Sequence, residues 1–275
     1  PSIFSSGVTQ INILVGTIIA SFEVSAVSYL YYADRIYQIN LAIAGIAVGT
    51  VSLPALANAL KKRNILKVRN IQNKSMQLSL LLSLPASLGL IICSKEIVSA
   101  LFGYGSFSEE NVNLTSEALK YFGYGIPAFA LIKVLSNFYF ARDNTKTPFY
   151  LSVLVVTINV LISLSLFKTI GFIIIPIATS ISTWCGVIAY TILLYKKSFL
   201  MFNKNFTNNV LKIIFSTILM SIVLIYGLSF LEESLKYTNK FKSIYLLFIV
   251  SFVATIYLIS CYLLGILKIK SYKIN

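Results

Sequence analysis

An all-α, polytopic membrane protein is the fold class this sequence predicts, on three observations. Of its 275 residues 57% are hydrophobic and only 12% are charged, about half the charged share of a soluble domain. Its apolar runs repeatedly reach the roughly 20 residues that a hydrocarbon core about 30 Å thick requires. Its basic residues gather mainly between those runs rather than inside them.

Taken in order, the runs at 27–60, 72–93, 115–140, 147–167, 171–195, 209–230 and 243–266 predict seven full spans. A shorter run, Val8 to Phe22, precedes them. It reads as the second half of a longer helix, so the sequence, which begins at Pro1, is expected to be an N-terminally truncated fragment. No charged segment followed by a small-residue cleavage site opens the chain, which argues against a cleaved signal peptide. Within the run 27–60, Gly45 and Gly49 sit four residues apart, a spacing that lets helix backbones approach closely. That small face suits packing, or a hinge against a neighbour, and Pro54 is expected to break the hydrogen-bond ladder after Leu53. The segment Leu101–Phe107 (LFGYGSF) reads as a glycine turn, capped by Ser108 with Glu109 and Glu110 in the next first turn. The stretch Ala141 to Pro148 reads as a rigid corner between two helices.

The formal net charge of +14 is a topology signal rather than a nucleic-acid footprint. If connections alternate sides, one side holds Lys61, Lys62, Arg63, Lys67, Arg69, Lys74, Arg142, Lys146, Lys196, Lys197, Lys204, Lys212, Lys268, Lys270 and Lys273. Of the acids, only Asp143 shares that side. The excess of Lys and Arg places the 61–74 connection and the C-terminus in the cytoplasm.

Two cations depart from that pattern. Arg35 lies eight residues into the run that starts at Val27, roughly 12 Å along a helix rising about 1.5 Å per residue. A cation near that depth costs about 2.5–3.5 kcal/mol even on lenient insertion scales. Asp34 and Arg35 point about 100° apart on a helix and pair poorly with each other. Arg35 can therefore snorkel, join a structural ion pair or meet an anionic ligand, and the residues alone leave these open. Lys133 repeats the anomaly within Tyr121–Phe140, with only Asp34 and Glu23 as acids on the same side of the bilayer. The surplus positive charge suggests a cavity that receives an anion. Asn137, Asn159 and Ser163 can add hydrogen bonds between helices.

Other chemistry has little equipment. The chain has no His and no phosphate-binding loop, nucleophile elbow or carboxylate pair. Cys93, Cys185 and Cys261 show no metal or redox spacing and read as small buried hydrophobes. No catalytic residue, cofactor or metal site is expected.

Four stretches, in order, carry a family resemblance: Gln10–Phe22 (QINILVGTIIASF); Tyr31–Arg35 (YYADR) with the following AGIAVGTVSLPAL; Leu101–Phe107; and Phe138–Pro148 (FYFARDNTKTP). On these the chain resembles the MurJ (MviN) family of lipid II flippases, within the superfamily of multidrug and oligosaccharidyl-lipid exporters. The resemblance implies fourteen helices in two six-helix lobes plus a C-terminal pair. Residues 1–197 then correspond to the second lobe, from the end of the seventh helix, and residues 198–275 to a two-helix groove for a lipid tail. It implies a multi-pass protein of the bacterial inner membrane, with its partner lobe in the absent N-terminal part. Its substrate is lipid II, the undecaprenyl-pyrophosphate-linked peptidoglycan precursor, flipped from inner to outer leaflet by alternating access. Arg35, beside Asp34, then matches an essential cavity arginine that engages pyrophosphate, and Lys133 a basic residue of the tenth helix. Some members bind sodium through acids on the seventh and eleventh helices. The matching positions here are Gly16 and Ser163, so a sodium site is not expected. The competing readings are another exporter of the superfamily (O-antigen lipid or multidrug), a scaffold for cell-wall assembly, and an enzyme acting on polyprenyl phosphates.

Overall fold

The computed structural model describes the backbone of residues 2–43 and 47–267, and side chains of residues 10, 12–43 and 48–267. The helices are α1 (Ser2–Ala20), α2 (Ala26–Leu41), α3 (Ala47–Lys61), α4 (Ile65–Ile92), α5 (Ser94–Phe102), α6 (Glu109–Gly123), α7 (Ile126–Phe140), α8 (Lys146–Ile170), α9 (Ile174–Lys196), α10 (Lys204–Phe230), α11 (Glu232–Leu235) and α12 (Lys242–Leu263). A 3-10 turn, Gly171–Ile173, joins α8 to α9, and no strand occurs among the described residues.

Helices α8 and α9 form an antiparallel hairpin. The Tyr190 hydroxyl reaches the Pro148 carbonyl, a Cβ on Gly186 would meet Val155, and Asn159 Nδ2 donates to Thr179 Oγ1. As the chain climbs α8 its partners descend α9, so the two helices, 25 and 23 residues long, each cross on their own. At about 1.5 Å per residue both exceed a 30 Å core. With α4, α10 and α12, five continuous helices among the described residues are long and apolar enough to span. The protein is a multi-pass membrane protein.

Among the described residues one further crossing is broken. The run 115–140 is two helices bent by 40°, not the single span that its hydropathy predicts. Pro127 has no N–H to offer the Gly123 carbonyl, and Gly123 and Gly125 flank the bend. Neighbouring side chains replace the lost partners: Ser87 Oγ donates to Gly123 O, Ser180 Oγ to Tyr121 O and Trp184 Nε1 to Tyr124 O. Irregular backbone at membrane depth survives because protein, not lipid, satisfies it.

The run 27–60 departs from expectation at its proline. Helix α3 passes through Pro54 without a break, and upstream α2 passes into a π-type turn at Ala42–Ile43. Proline interrupts one ladder bond, and packing on both sides of α3 holds the rest. Gly45 lies outside the described residues, as do the terminal Lys268, Lys270 and Lys273.

Helices α2 and α3 run parallel to α6 and α7 in nearly constant register. Tyr29 OH donates to Asn111 Oδ1, the Tyr37 and Phe122 rings stack at 5.0 Å, and Asn137 Nδ2 donates to Gly49 O at 2.6 Å. The α6–α7 pair is bent between its halves. The outer halves share a core containing Ile36, Tyr37, Leu119 and Phe122, and the other halves a second core containing Leu56, Val134, Phe138 and Tyr139. Helices α10 and α12 pack on α4 and α5 through a third core that includes Leu81, Ala100, Ile213 and Tyr257. The Tyr257 hydroxyl donates to Leu81 O, and Lys212 Nζ caps the C-terminal end of α12 at Leu264 O.

The predicted cap after LFGYGSF forms: Ser108 Oγ accepts from Asn111 N, with Glu109 and Glu110 in the first turn of α6. The corner before α8 is held by Asn144 Oδ1 accepting from Thr147 N, with Asp143 at a positive φ of 56°. Cys93 and Cys261 are buried, Cys185 is half-buried and all three are free thiols.

Candidate functional site

Helix α2 presents alternate faces to different surroundings. Ala33, Ile36 and Tyr37 enter the outer core, while Tyr31, Arg35 and Gln38 are exposed. The Arg35 guanidinium lies over the Tyr31 ring, 4.6 Å from its centroid. Four residues apart is one helical turn, so the ring shelves the cation and steers it outward. Asp34 makes no ion pair with it, and its carboxylate accepts from Gln38 Nε2 one turn further on.

Lys133 is also exposed, with its ammonium 5.2 Å from the centroid of the Phe129 ring, again one turn away. Its own helix is fixed by buried contacts: Asn137 Nδ2 reaches Gly49 O and Ser52 Oγ, at 2.6 and 3.2 Å. Glu23, the other acid available to these cations, accepts from Phe172 N at 2.7 Å and caps the 3-10 turn instead. Neither Arg35 nor Lys133 has an ion pair among the described residues, where the pairs are Lys95–Glu109 and Lys236–Glu233. Each cation rests on an aromatic ring without an ion pair, so each can receive an anion without first breaking an internal pair; no described contact joins the two, which sit on different helices, α2 and α7.

Gly49 is buried against α7. A Cβ added there would meet Asn137 Nδ2 at 3.5 Å and Lys133 O at 4.0 Å, which is ordinary contact. Gly49→Ala is therefore expected to fold with a melting midpoint within about 2 °C of the parent. Gly49→Leu, which drives α3 away from α7, is expected to cost about 1–3 kcal/mol. Thermal unfolding in detergent measures both. Equal tolerance of alanine and leucine would show that the close approach carries no stability.

Asn159 and Ser163 serve helix contacts. Ser163 Oγ donates to Asn159 Oδ1 within α8, and Asn159 crosses to Thr179 of α9. Gly16 faces Ile175. Among the described residues no group of three or more Cys, Asp or Glu is placed to hold a metal ion.

Sequence reasoning missed Lys242. It stands at the head of a hydrophobic helix, where a snorkelling lysine is the ordinary expectation, yet it is only 2% exposed. Its ammonium donates to Gly103 O and Tyr237 O at 2.7 and 2.8 Å and lies over the Tyr104 and Tyr237 rings. The LFGYGSF turn is thereby tied to the C-terminal hairpin. A cavity of about 240 Å³ opens beside this knot, lined by Lys95, Glu96, Glu109, Glu232 and Lys236. Burial holds the Glu96 carboxyl above its ordinary range.

The sequence profile of the family described as "Lipid II flippase MurJ" matches residues 1–248. A Rhizobium tropici protein described as "Probable lipid II flippase MurJ" is 36% identical over 220 residues, covering 80% of this chain and 41% of its own length. A Rhizobium meliloti (strain 1021) protein of the same description is 42% identical over 188 residues, covering 68% of this chain and 35% of its own. This chain thus spans less than half the length of these two relatives. Among solved structures, a lipid II flippase MurJ in an inward closed conformation superposes with a TM-score of 0.79 at 26% identity, over 94% of this chain and 51% of that one. An outward-facing multidrug transporter of the MATE family superposes at 0.62 with 17% identity, covering 84% of this chain and 52% of its own, which shows a shared fold. With its profile, its relatives and its fold in agreement, this chain belongs to the MurJ family of lipid II flippases.

Proposed function

We propose that this chain supplies one lobe of a transporter that flips lipid II from the inner to the outer leaflet of the bacterial inner membrane, and that Arg35 binds the pyrophosphate. The observation that carries this reading is the exposed Arg35 guanidinium, shelved on Tyr31 and paired with no acid among the described residues. A guanidinium can bond two phosphate oxygens at once, which an ammonium cannot. Lys133 adds a second positive charge, and Asp34 orients its own turn through Gln38.

In this reading residues 1–197 form the transporter lobe and residues 198–275 a groove for the isoprenoid tail. The exposed apolar residues of the C-terminal pair, among them Phe215, Ile222, Phe248 and Leu263, support an acyl-like partner there. The bend between α6 and α7 supports a hinge at which the outer half tilts while Asn137 keeps α3 on α7. Gly45, Gly49 and Pro54 are assigned in this reading to the helix-packing face or hinge that accompanies it. The remaining lobe completes the cavity, basic loops and C-terminus face the cytoplasm, and the chain performs transport rather than catalysis, without a bound cofactor.

The protein that contains this chain is expected to restore growth to a bacterium depleted of its lipid II flippase. Correct membrane insertion without growth would count against lipid II as the substrate. Restored export of another lipid-linked glycan in its place would favour a different exporter of the superfamily.

A further inference from the structure

At the end of the bundle remote from Lys242, three arginines converge on one cavity. It holds about 200 Å³ and is lined by Arg63, Arg69 and Arg142 together with Leu60, Val68 and Phe199. Local structure puts each arginine there. Arg63 sits in the α3–α4 turn at a φ of 51°, which turns the chain sharply after Lys62. Asn64 Oδ1 caps α4 by accepting from Lys67 N. One turn into α4, Arg69 Nη2 donates to Phe202 O, while Gln72 and Asn73 hold the carbonyls of Phe199 and Met201. Arg142, in the corner before α8, donates to Phe138 O and stacks its guanidinium 4.2 Å from the Phe199 ring centroid.

Carbonyls position the guanidinium groups of Arg69 and Arg142, the latter also against a ring face, and among the described residues no acid pairs with any of the three arginines. Both ion pairs among the described residues lie elsewhere, at Lys95–Glu109 and Lys236–Glu233. The Nε of Arg69 is buried and has no acceptor among the described residues, a deficit that costs about 1–3 kcal/mol when a donor goes unmet. The positive end of α4 adds to the same field. Beside the arginines the surface is apolar: Ile65 and Leu66 are 71% and 74% exposed.

We propose that this pocket binds the phosphate of an anionic phospholipid headgroup. The three guanidinium groups take the phosphate oxygens, and the exposed leucine and isoleucine lie along the glycerol and upper acyl chains. A soluble anion would use the arginines but not the apolar rim, and basic pockets between membrane helices are suited to acidic headgroups. This site is separate from Arg35 and does not depend on the transported substrate.

The protein, delipidated in detergent and followed by native mass spectrometry, is titrated with dioleoylphosphatidylglycerol, dioleoylphosphatidylcholine and inorganic phosphate. The first phosphatidylglycerol is expected to bind about tenfold more tightly than phosphatidylcholine. Arg63→Gln is expected to lose about tenfold in that affinity, one charge-assisted contact's worth. Lys62→Gln, which removes the same charge outside the pocket lining, is expected to lose less than twofold. Unchanged melting midpoints in both variants keep the comparison one of binding. Equal losses from Arg63→Gln and Lys62→Gln would show diffuse surface attraction and overturn the site. Inorganic phosphate binding as tightly as the lipid would assign the pocket to a soluble phosphate and overturn the lipid.

Discussion

Arg35→Ala is expected to abolish growth of a flippase-depleted bacterium that depends on the protein containing this chain. Each hydrogen bond from a guanidinium to a charged oxygen is worth about 1.5–3 kcal/mol, so losing a bidentate pair weakens pyrophosphate binding by roughly two to four powers of ten. The fold is expected to survive. Arg35 is exposed and its described contact is the Tyr31 ring, worth about 0.5–1 kcal/mol at such a site. Membrane abundance of the variant should therefore match the parent. Arg35→Lys is also expected to complement poorly, because an ammonium keeps the charge but loses the planar fork. Normal growth with Arg35→Ala at normal abundance would remove the pyrophosphate role. Normal growth with Arg35→Lys alone would reduce that role to simple charge.

Lys242→Ala is expected to destabilise the fold more than Gly49→Leu does. Two buried carbonyls, Gly103 O and Tyr237 O, lose their donor, and two ring faces lose their cation. Unmet buried groups cost about 1–3 kcal/mol each, and the desolvated cation–π contacts add up to about 2 kcal/mol. A melting midpoint lower by roughly 8–15 °C follows for a domain of this size. Gly103→Ala attacks the same knot from the other side. Its Cβ would lie 2.6 Å from Ser99 O and 3.0 Å from Ser99 Cα. Both are backbone atoms of α5 and cannot swing away, so a similar loss is expected. Lys242→Met, which keeps the stem without the charge, separates packing from hydrogen bonding. A midpoint close to wild type in Lys242→Ala would show that water replaces the ammonium without cost.

Local chemistry made the helical class, the cap at Ser108 and the corner at Asn144 legible. A bilayer-length apolar run, a hydroxyl before two acids and an Asn-Thr-Lys-Thr-Pro turn each act within a few residues. Arg35 and Lys133 were legible for a related reason, since a cation deep in an apolar run is conspicuous on its own. The bend at Tyr124–Gly125 was less so. Hydropathy averages over about twenty residues, whereas the bend follows from one missing N–H at Pro127. Hydroxyls of Ser87 and Ser180, far away in sequence, make it tolerable. Pro54 shows the reverse, a breaker that its neighbours absorb.

The sequence by itself determined that this chain is a helical membrane protein with two cations placed where lipid would not tolerate them. Only the tertiary structure decided what those charges meet. It turned Asp34 to Gln38 and Glu23 to the 3-10 turn, leaving Arg35 and Lys133 without an ion pair among the described residues. It buried Lys242, and it gathered Arg63, Arg69 and Arg142 around one cavity. The physical reason is range. Helix formation and membrane insertion are set by neighbours within a turn or two, whereas charge compensation depends on groups a hundred residues apart that meet only when the helices pack.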